Sequence, residues 1–366
     1  MKTKVMNYLQ TSSTQMAGVV NRLNDILYAG LVTGFNSKNV SSIVVSGNMA
    51  TVTTSTAHGY NVNDCVKIEG ANESILNDDF FITPTSTTTF TFALTSSDFT
   101  GTGTITCKIA PLGWERVYTG TNKAVYRAPE GNRLYLRVDD SNAQYALVNA
   151  YETMSDVDTG TNGTAAVYWK KSDASSTATR EWYLIGNRKT FYLFAAWHSS
   201  YLTYHIGYAF GEMKSLKAGD NWNTILIGHT ANPASLWLST SFYNTSGNTN
   251  TTGLYLMRNS LGTAGVITFY KISASPNTTF GANGGLSYPN PTNNGMELVP
   301  VEVIESGGVY RGRLHGLLNP MEVIGGLFNS GDKTIVISGR TYMAMKIVVS
   351  GSATASNLWV DLGEWE

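Results

Sequence analysis

Hydrophobic and polar positions follow a helical period in one stretch near the start of the chain and a period of two in many short stretches after it. Over residues 12–29, Met16, Val19, Val20, Leu23, Ile26 and Leu27 recur at helical spacing, with Asn21, Arg22 and Asp25 facing away. Ser12 followed by Gln15 has the spacing of a capping box, and Gly30 and Gly34 supply a stop. The pattern predicts an N-terminal amphipathic helix within an anchor of residues 1–38. Its apolar stripe can pack in cis, bundle with copies of itself or dock on a neighbour, which makes it the candidate assembly face.

From about residue 40 the alternation takes over. Ile43-Val44-Val45, Ala50-Thr51-Val52-Thr53-Thr54, Cys65-Val66-Lys67-Ile68, Phe80-Phe81-Ile82, Thr89-Phe90-Thr91-Phe92-Ala93-Leu94 and Thr104-Ile105-Thr106-Cys107 are separated by Gly, Asn and Ser turns. These runs predict a small β-sandwich or barrel module over residues 39–110, with alternate side chains inside.

Residues 111–366 read as one large antiparallel β domain, or as two intimately joined subdomains. Arg133-Leu134-Tyr135-Leu136-Arg137-Val138 alternates strictly. Trp182–Ile185 and Phe191–Trp197 flank the turn Gly186-Asn187-Arg188-Lys189, a hairpin signal. Leu254–Met257 with Val266–Ile272, and Lys333–Ile337 with Met343–Val349, predict two more hairpins. The tracts 239–253 and 275–295, rich in Asn, Ser, Thr and Gly, are expected to be long loops. The expected fold class is mainly β: an N-terminal amphipathic helix, a small module, then a larger antiparallel domain.

Composition adds context. Charged residues are 14% of the 366 positions and glycine contributes 36, against about 25% charged in an ordinary globular protein. The surface is therefore expected to be covered by hydroxyls and amides. With 42% hydrophobic residues and 20 Tyr, 13 Phe and 8 Trp, global disorder is excluded. A net charge of -1 without a basic cluster argues against direct nucleic-acid binding or attraction to an anionic membrane. No run approaches ~18 apolar residues, so no membrane span is expected, and the N-terminus lacks an apolar core of signal-peptide length. Cys65 and Cys107 are expected as buried thiols rather than a disulfide.

Candidate chemistry is sparse. Asp139-Asp140 with Glu152, Asp156 and Asp158 is the densest acidic cluster, but adjacent aspartates on a strand point to opposite faces and do not converge as a glycosidase pair. Asp156-x-Asp158-x-Gly160 resembles a calcium loop, yet its glycine comes one place early and Val167 stands where a closing Glu is needed. His58, His198, His205, His229 and His315 lack zinc-site spacing, and His58 reads as a turn residue. There is no Gly-x-Ser-x-Gly elbow, and Gly281-Ala282-Asn283-Gly284-Gly285 lacks the Lys and helix of a phosphate loop. No catalytic residue, cofactor or metal is expected. Trp182, Tyr192, Trp197 and Tyr201, in an aromatic strip that also holds Tyr183, Phe191 and Tyr204, form a candidate glycan platform if they face solvent. The alternation instead sends about half of these rings into the core.

The order of strands and turns also resembles a known module. Ala50–Thr54, His58-Gly59-Tyr60, Asp64-Cys65-Val66-Lys67-Ile68-Glu69-Gly70-Ala71, Leu76-Asn77 and Thr88-Thr89-Phe90-Thr91-Phe92 are similar to a small β module recurring in bacteriophage tail and baseplate proteins. Asn63 and Asp78 stand where that module usually has Gly, and both tolerate turn geometry. Ala110-Pro111-Leu112-Gly113-Trp114-Glu115, residues 120–127, 134–140 and 151–160, Arg311-Gly312-Arg313-Leu314 and Gly339-Arg340-Thr341-Tyr342 extend the resemblance to an uncharacterised phage structural family over nearly the whole chain.

The resemblance implies a virion location, most naturally the tail tip or baseplate, with a collar or head decoration behind it. It implies other virion proteins as partners and a homo-oligomer, ring or trimer, assembled in the host cytoplasm. A host receptor- or glycan-binding adhesin is the second expectation, and an envelope-degrading glycosidase the third.

Overall fold

The computed structural model describes residues 2–230, 252–263, 265–272, 286–323, 326–350 and 354–365. Most of both expected loop tracts, including Gly281–Gly285, lies outside the described residues. The chain is mainly β; among the described residues its strands form a large sheet of 18, a smaller one of eight and three two-stranded pairs.

The smaller sheet occupies residues 35–109 and runs in the order Asp79–Phe81, Cys65–Ala71, Gly103–Ile109, Phe35–Ser46, Met49–Thr54, Thr89–Ala93, Thr83–Pro84, with Phe99–Thr100 paired to Phe35–Ser46 off this path. Its two outermost strands are separated in sequence only by Ile82, so the sheet curls back on itself into a nearly closed barrel. Phe35–Ser46 makes the corner, pairing with Gly103–Ile109 through its first half and with Met49–Thr54 through its second. Alternate side chains fill the interior, among them Ile43, Val45, Val52, Ile68, Phe90 and Phe92. Phe80 stacks on Phe92 with centroids 3.9 Å apart.

The local turns follow their residues. His58 Nδ1 accepts from the Tyr60 N–H at 2.9 Å and its Nε2 lies 3.0 Å from Ser86 O, so the ring ties its own turn together. Asn63 adopts φ +67, a left-handed conformation that Asn tolerates in a tight turn. Cys65 and Cys107 are both free and buried.

The large sheet separates two apolar cores. Its central hairpin pairs Trp182–Gly186 with Thr190–Ala196, opposing Tyr183 to Phe194 and Leu184 to Leu193. Every residue of both strands is buried. Trp182, Leu184 and Leu193 face one core, and Tyr183, Tyr192 and Phe194 face the other. A sheet covered on both sides carries apolar residues at consecutive positions, which is why this segment does not alternate.

The N-terminal region is a seam rather than a separate helical anchor. Lys4–Asn7 is a strand of the large sheet, antiparallel to Trp182–Gly186, and Lys2 bridges to Glu364. The helix is also shorter than its pattern predicts. It spans Arg22–Tyr28 and continues as a π-helical turn over Ala29–Thr33. Asn21 sits at φ +64, which no helix interior accommodates. A Cβ on Gly18 would lie 1.9 Å from Ala174 O, so the backbone there is pressed against the strand region that follows. Met16-Ala17 instead pairs with Thr179-Arg180. Gln15 donates to Tyr8 O at 2.7 Å rather than closing a capping box with Ser12.

Candidate functional site

The expected assembly face is turned inward. Met16, Leu23, Ile26 and Leu27 are buried in the core of the chain itself, Val19 is half-buried, and Val20 is 39% exposed. The stripe packs in cis. The expected glycan platform is also dismantled: Trp182, Tyr192 and Trp197 are buried, and Tyr201 is half-buried with its ring stacked on Tyr204.

The acidic cluster is tied up locally. Asp139 and Asp140 part to opposite sides, Asp139 beside Arg137 and Asp140 buried against Lys171. Asp156 Oδ1 accepts from the N–H groups of Asp158 and Thr159, both at 2.8 Å, which makes it a turn former. Asp158 bridges Lys123 at 2.8 Å and Arg137 at 2.5 Å, and those two hydrogen bonds hold its carboxyl below the usual range. The Arg258 guanidinium does the same for Glu152.

Two further polar groups are built into the sheet. Arg311 reaches Glu305 at 2.5 Å, Asp220 at 2.6 Å and the Arg258 carbonyl at 3.0 Å, with all three charged side chains nearly free of solvent. Burial opposes ionisation of Asp220, but hydrogen bonds from Ser215 and Arg311 outweigh it and keep the carboxyl below its usual range. Elsewhere, Ser330 Oγ lies 3.0 Å from His205 Nδ1, and Glu181 lies 3.9 Å from Nε2. The order Ser-His-Glu is that of a hydrolase. Here His205 has no solvent contact and Ser330 is buried, so no substrate reaches the hydroxyl. Burial pushes the imidazole down to about 4 and keeps it neutral, where it locks the segment around Ser330 to the sheet.

The surface carries two features with room for a partner. The first is a groove of about 710 Å³ where the first strand, the barrel turn 61–64 and the C-terminal hairpin meet. Val5, Leu9, Val62, Phe81, Met343 and Leu362 make it apolar, and Lys2, Arg340 and Glu364 sit among its polar residues. Leu9 is 68% and Val62 61% exposed. Asp64, at the barrel side, accepts from Gln10 Nε2 at 2.7 Å and from the Asn61 N–H at 2.8 Å, while burial raises its carboxyl above the usual range. The groove adjoins the strand Thr334–Ile337. Among the described residues, Thr334–Ile337 has its registered pairing with Arg340–Ser350, setting Val336 opposite Thr341 and Ile337 opposite Arg340. Val336 is 69% and Ile337 38% exposed on that strand, which sets apolar side chains at the surface of a short strand near the end of the sheet.

The second feature is a polar cleft of about 540 Å³ with Asn132, Asn187, Glu212, Asn223, Lys214 and Trp365 on its walls. A smaller hollow shares Lys214, His315 and Trp365 and adds Arg313. Trp365 donates from its ring to Asp361 O at 2.9 Å and lies parallel to His315 with centroids 6.2 Å apart. Burial holds the Glu212 carboxyl above its usual range.

The sequence reading missed both. Leu9 and Val62 are single apolar residues inside turn-like surroundings, and the run Ile335-Val336-Ile337 read only as half of a hairpin. A continuous apolar run of this kind reads as a strand buried on both faces, so nothing local marked Val336 as exposed. No family model matches the sequence and no curated protein is similar to it, so the phage resemblance rests on the residues quoted for it. Among the described residues no helix is long and apolar enough to cross a membrane.

Proposed function

We propose that this chain is a non-enzymatic structural component of a bacteriophage virion, in the tail tip or baseplate, working through contacts with copies of itself and with other virion proteins. The observation that carries the reading is the exposed apolar strand Thr334–Ile337 beside the groove lined by Leu9 and Val62. A short strand with exposed Val and Ile side chains offers apolar surface, and a sheet edge of that kind is a template for pairing with another strand. The low charge of the chain favours the same use, because few ions need desolvating when such faces meet. Closed rotational symmetry, a ring or trimer, satisfies every copy of such an edge.

A second reading, a host-glycan adhesin, is supported by the polar cleft. Its asparagines, Lys214 and the half-buried Trp365 offer hydrogen bonds and a ring face to a saccharide. Immunogold labelling of intact particles with antibody against this chain tests the leading reading. Labelling at the tail tip supports it, and particles free of label overturn it. Glycan-array binding that disappears in Trp365→Ala would favour the adhesin.

A further inference from the structure

We propose that Asp140 and Lys171 condense spontaneously into an intramolecular isopeptide bond that staples the large sheet. Asp140 follows the strand Tyr135–Asp139 and Lys171 follows Val167–Lys170, and these strands flank Tyr145–Tyr151 on either side. Both side chains have no solvent exposure. Lys171 Nζ contacts Asp140 Oδ1 directly and donates to Val19 O at 2.8 Å. Asp140 Oδ2 accepts from the backbone N–H groups of Leu23 at 2.7 Å and Asn24 at 3.2 Å.

A buried ion pair is an expensive way to fill this space. Burial pushes the Asp140 carboxyl up to about 6, against the pull of Lys171 and the two backbone donors. Burial also pushes the Lys171 ammonium down, against Asp140. Arg22 and Asp25 act on Lys171 with opposite signs. The neutral acid and amine, the reactive forms, are thereby brought closer in energy than they are in water.

The contacts supply a proton path and a site for the developing charge. The ammonium passes one proton to Oδ1 across their contact, and the free amine attacks Cγ. Negative charge then develops on Oδ2, which already faces two N–H donors. A second proton moves from Nζ to Oδ1, the Cγ–Oδ1 bond breaks as the Cγ–Nζ bond is completed, and one water leaves. A carboxylate and an ammonium become an amide and water, with no oxidant or co-reactant. Holding the groups together supplies an effective concentration of roughly 10⁵ M or more, which offsets the poor reactivity of a carboxylic acid. Bond formation draws Nζ in from Oδ1 onto Cγ, a shift the flexible lysine stem can make, and leaves Val19 O within reach of the amide N–H and the Leu23 and Asn24 N–H groups on its carbonyl. Two buried charges disappear while every polar atom of the new amide retains a partner.

The inference is independent of the virion assignment. Intact-mass spectrometry and peptide mapping of the full chain test it. The expected result is a mass one water below that of the sequence and a branched peptide joining residues 140 and 171. Lys171→Arg, which keeps the charge but cannot form the bond, is expected to restore the full mass. The full mass in the unaltered protein overturns the proposal, as does loss of water with the two peptides recovered separately. Should Lys171→Arg not fold, mapping of the unaltered chain decides alone.

Discussion

Lys4 Nζ lies 2.5 Å from Asp79 Oδ2, joining the first strand of the large sheet to the outermost strand of the barrel. The same ammonium donates to the Pro111 carbonyl at 2.5 Å, so one buried cation fixes barrel, linker and sheet together. Lys4→Ala leaves Asp79 facing a dry seam. We expect a loss of about 2–3 kcal/mol in denaturant unfolding, at the low end for buried pairs because Asp79 retains some solvent. Proteolysis should then begin in residues 35–109 before the large sheet is cut.

His205 gives the fold a defined acid response. Its imidazole is neutral in the folded chain and pushed down to about 4 by burial, whereas the unfolded chain protonates near 6.5. Its contribution to stability is fully present above about 6.5 and is lost as pH falls from there toward 4, because the unfolded state takes the proton first. Between pH 7 and 5 the loss should be about 2 kcal/mol. Glu181, whose carboxyl is raised by burial, works in the opposite direction, and Lys346, Tyr183 and Ser330 complete the surroundings. Comparing urea midpoints at the two pH values for the unaltered chain and His205→Gln isolates the histidine, and the variant should show the smaller drop.

The barrel was legible in the sequence because its longer strands have one face inside and announce themselves by alternation, as Met49–Thr54 and Thr89–Ala93 do. The central hairpin was legible as strands but not as to facing. Trp182 and Tyr192 lie in different cores, and only the covering of both sheet faces reveals that neither ring meets solvent. The helix was overread. Periodicity carried it across Gly18 and Asn21, while contacts with Ala174 and Asp140, more than a hundred residues away, set where it begins. The groove and cleft combine residues from distant segments, which no local pattern brings together.

Arg311 should be irreplaceable by either a neutral or a shorter charged side chain. Arg311→Met strands Asp220 and Glu305 in a dry site and should cost about 3–5 kcal/mol. Arg311→Lys should also destabilise, since one ammonium cannot span both carboxylates and two carbonyls as the guanidinium fork does. Thermal unfolding of the two variants checks both outcomes.

The two thiols should be inert in the native state. Burial pushes Cys65 up to about 12 and raises Cys107 as well. Iodoacetamide at about pH 8 should leave both unmodified in the folded chain and label both once denaturant is added, since only the thiolate reacts. Rapid labelling of native Cys65 would contradict the buried barrel interior.

The proposed assembly role rests on Thr334–Ile337 pairing with another chain. Light scattering on the purified protein over a range of concentrations, compared with a Val336→Lys/Ile337→Lys variant, addresses it most directly. The unaltered chain should assemble into a discrete species of several copies. The variant should remain a monomer with an unfolding midpoint within about 0.5 kcal/mol of the original, as surface changes usually are. A chain that stays monomeric at every concentration, or a variant that assembles equally well, contradicts the account.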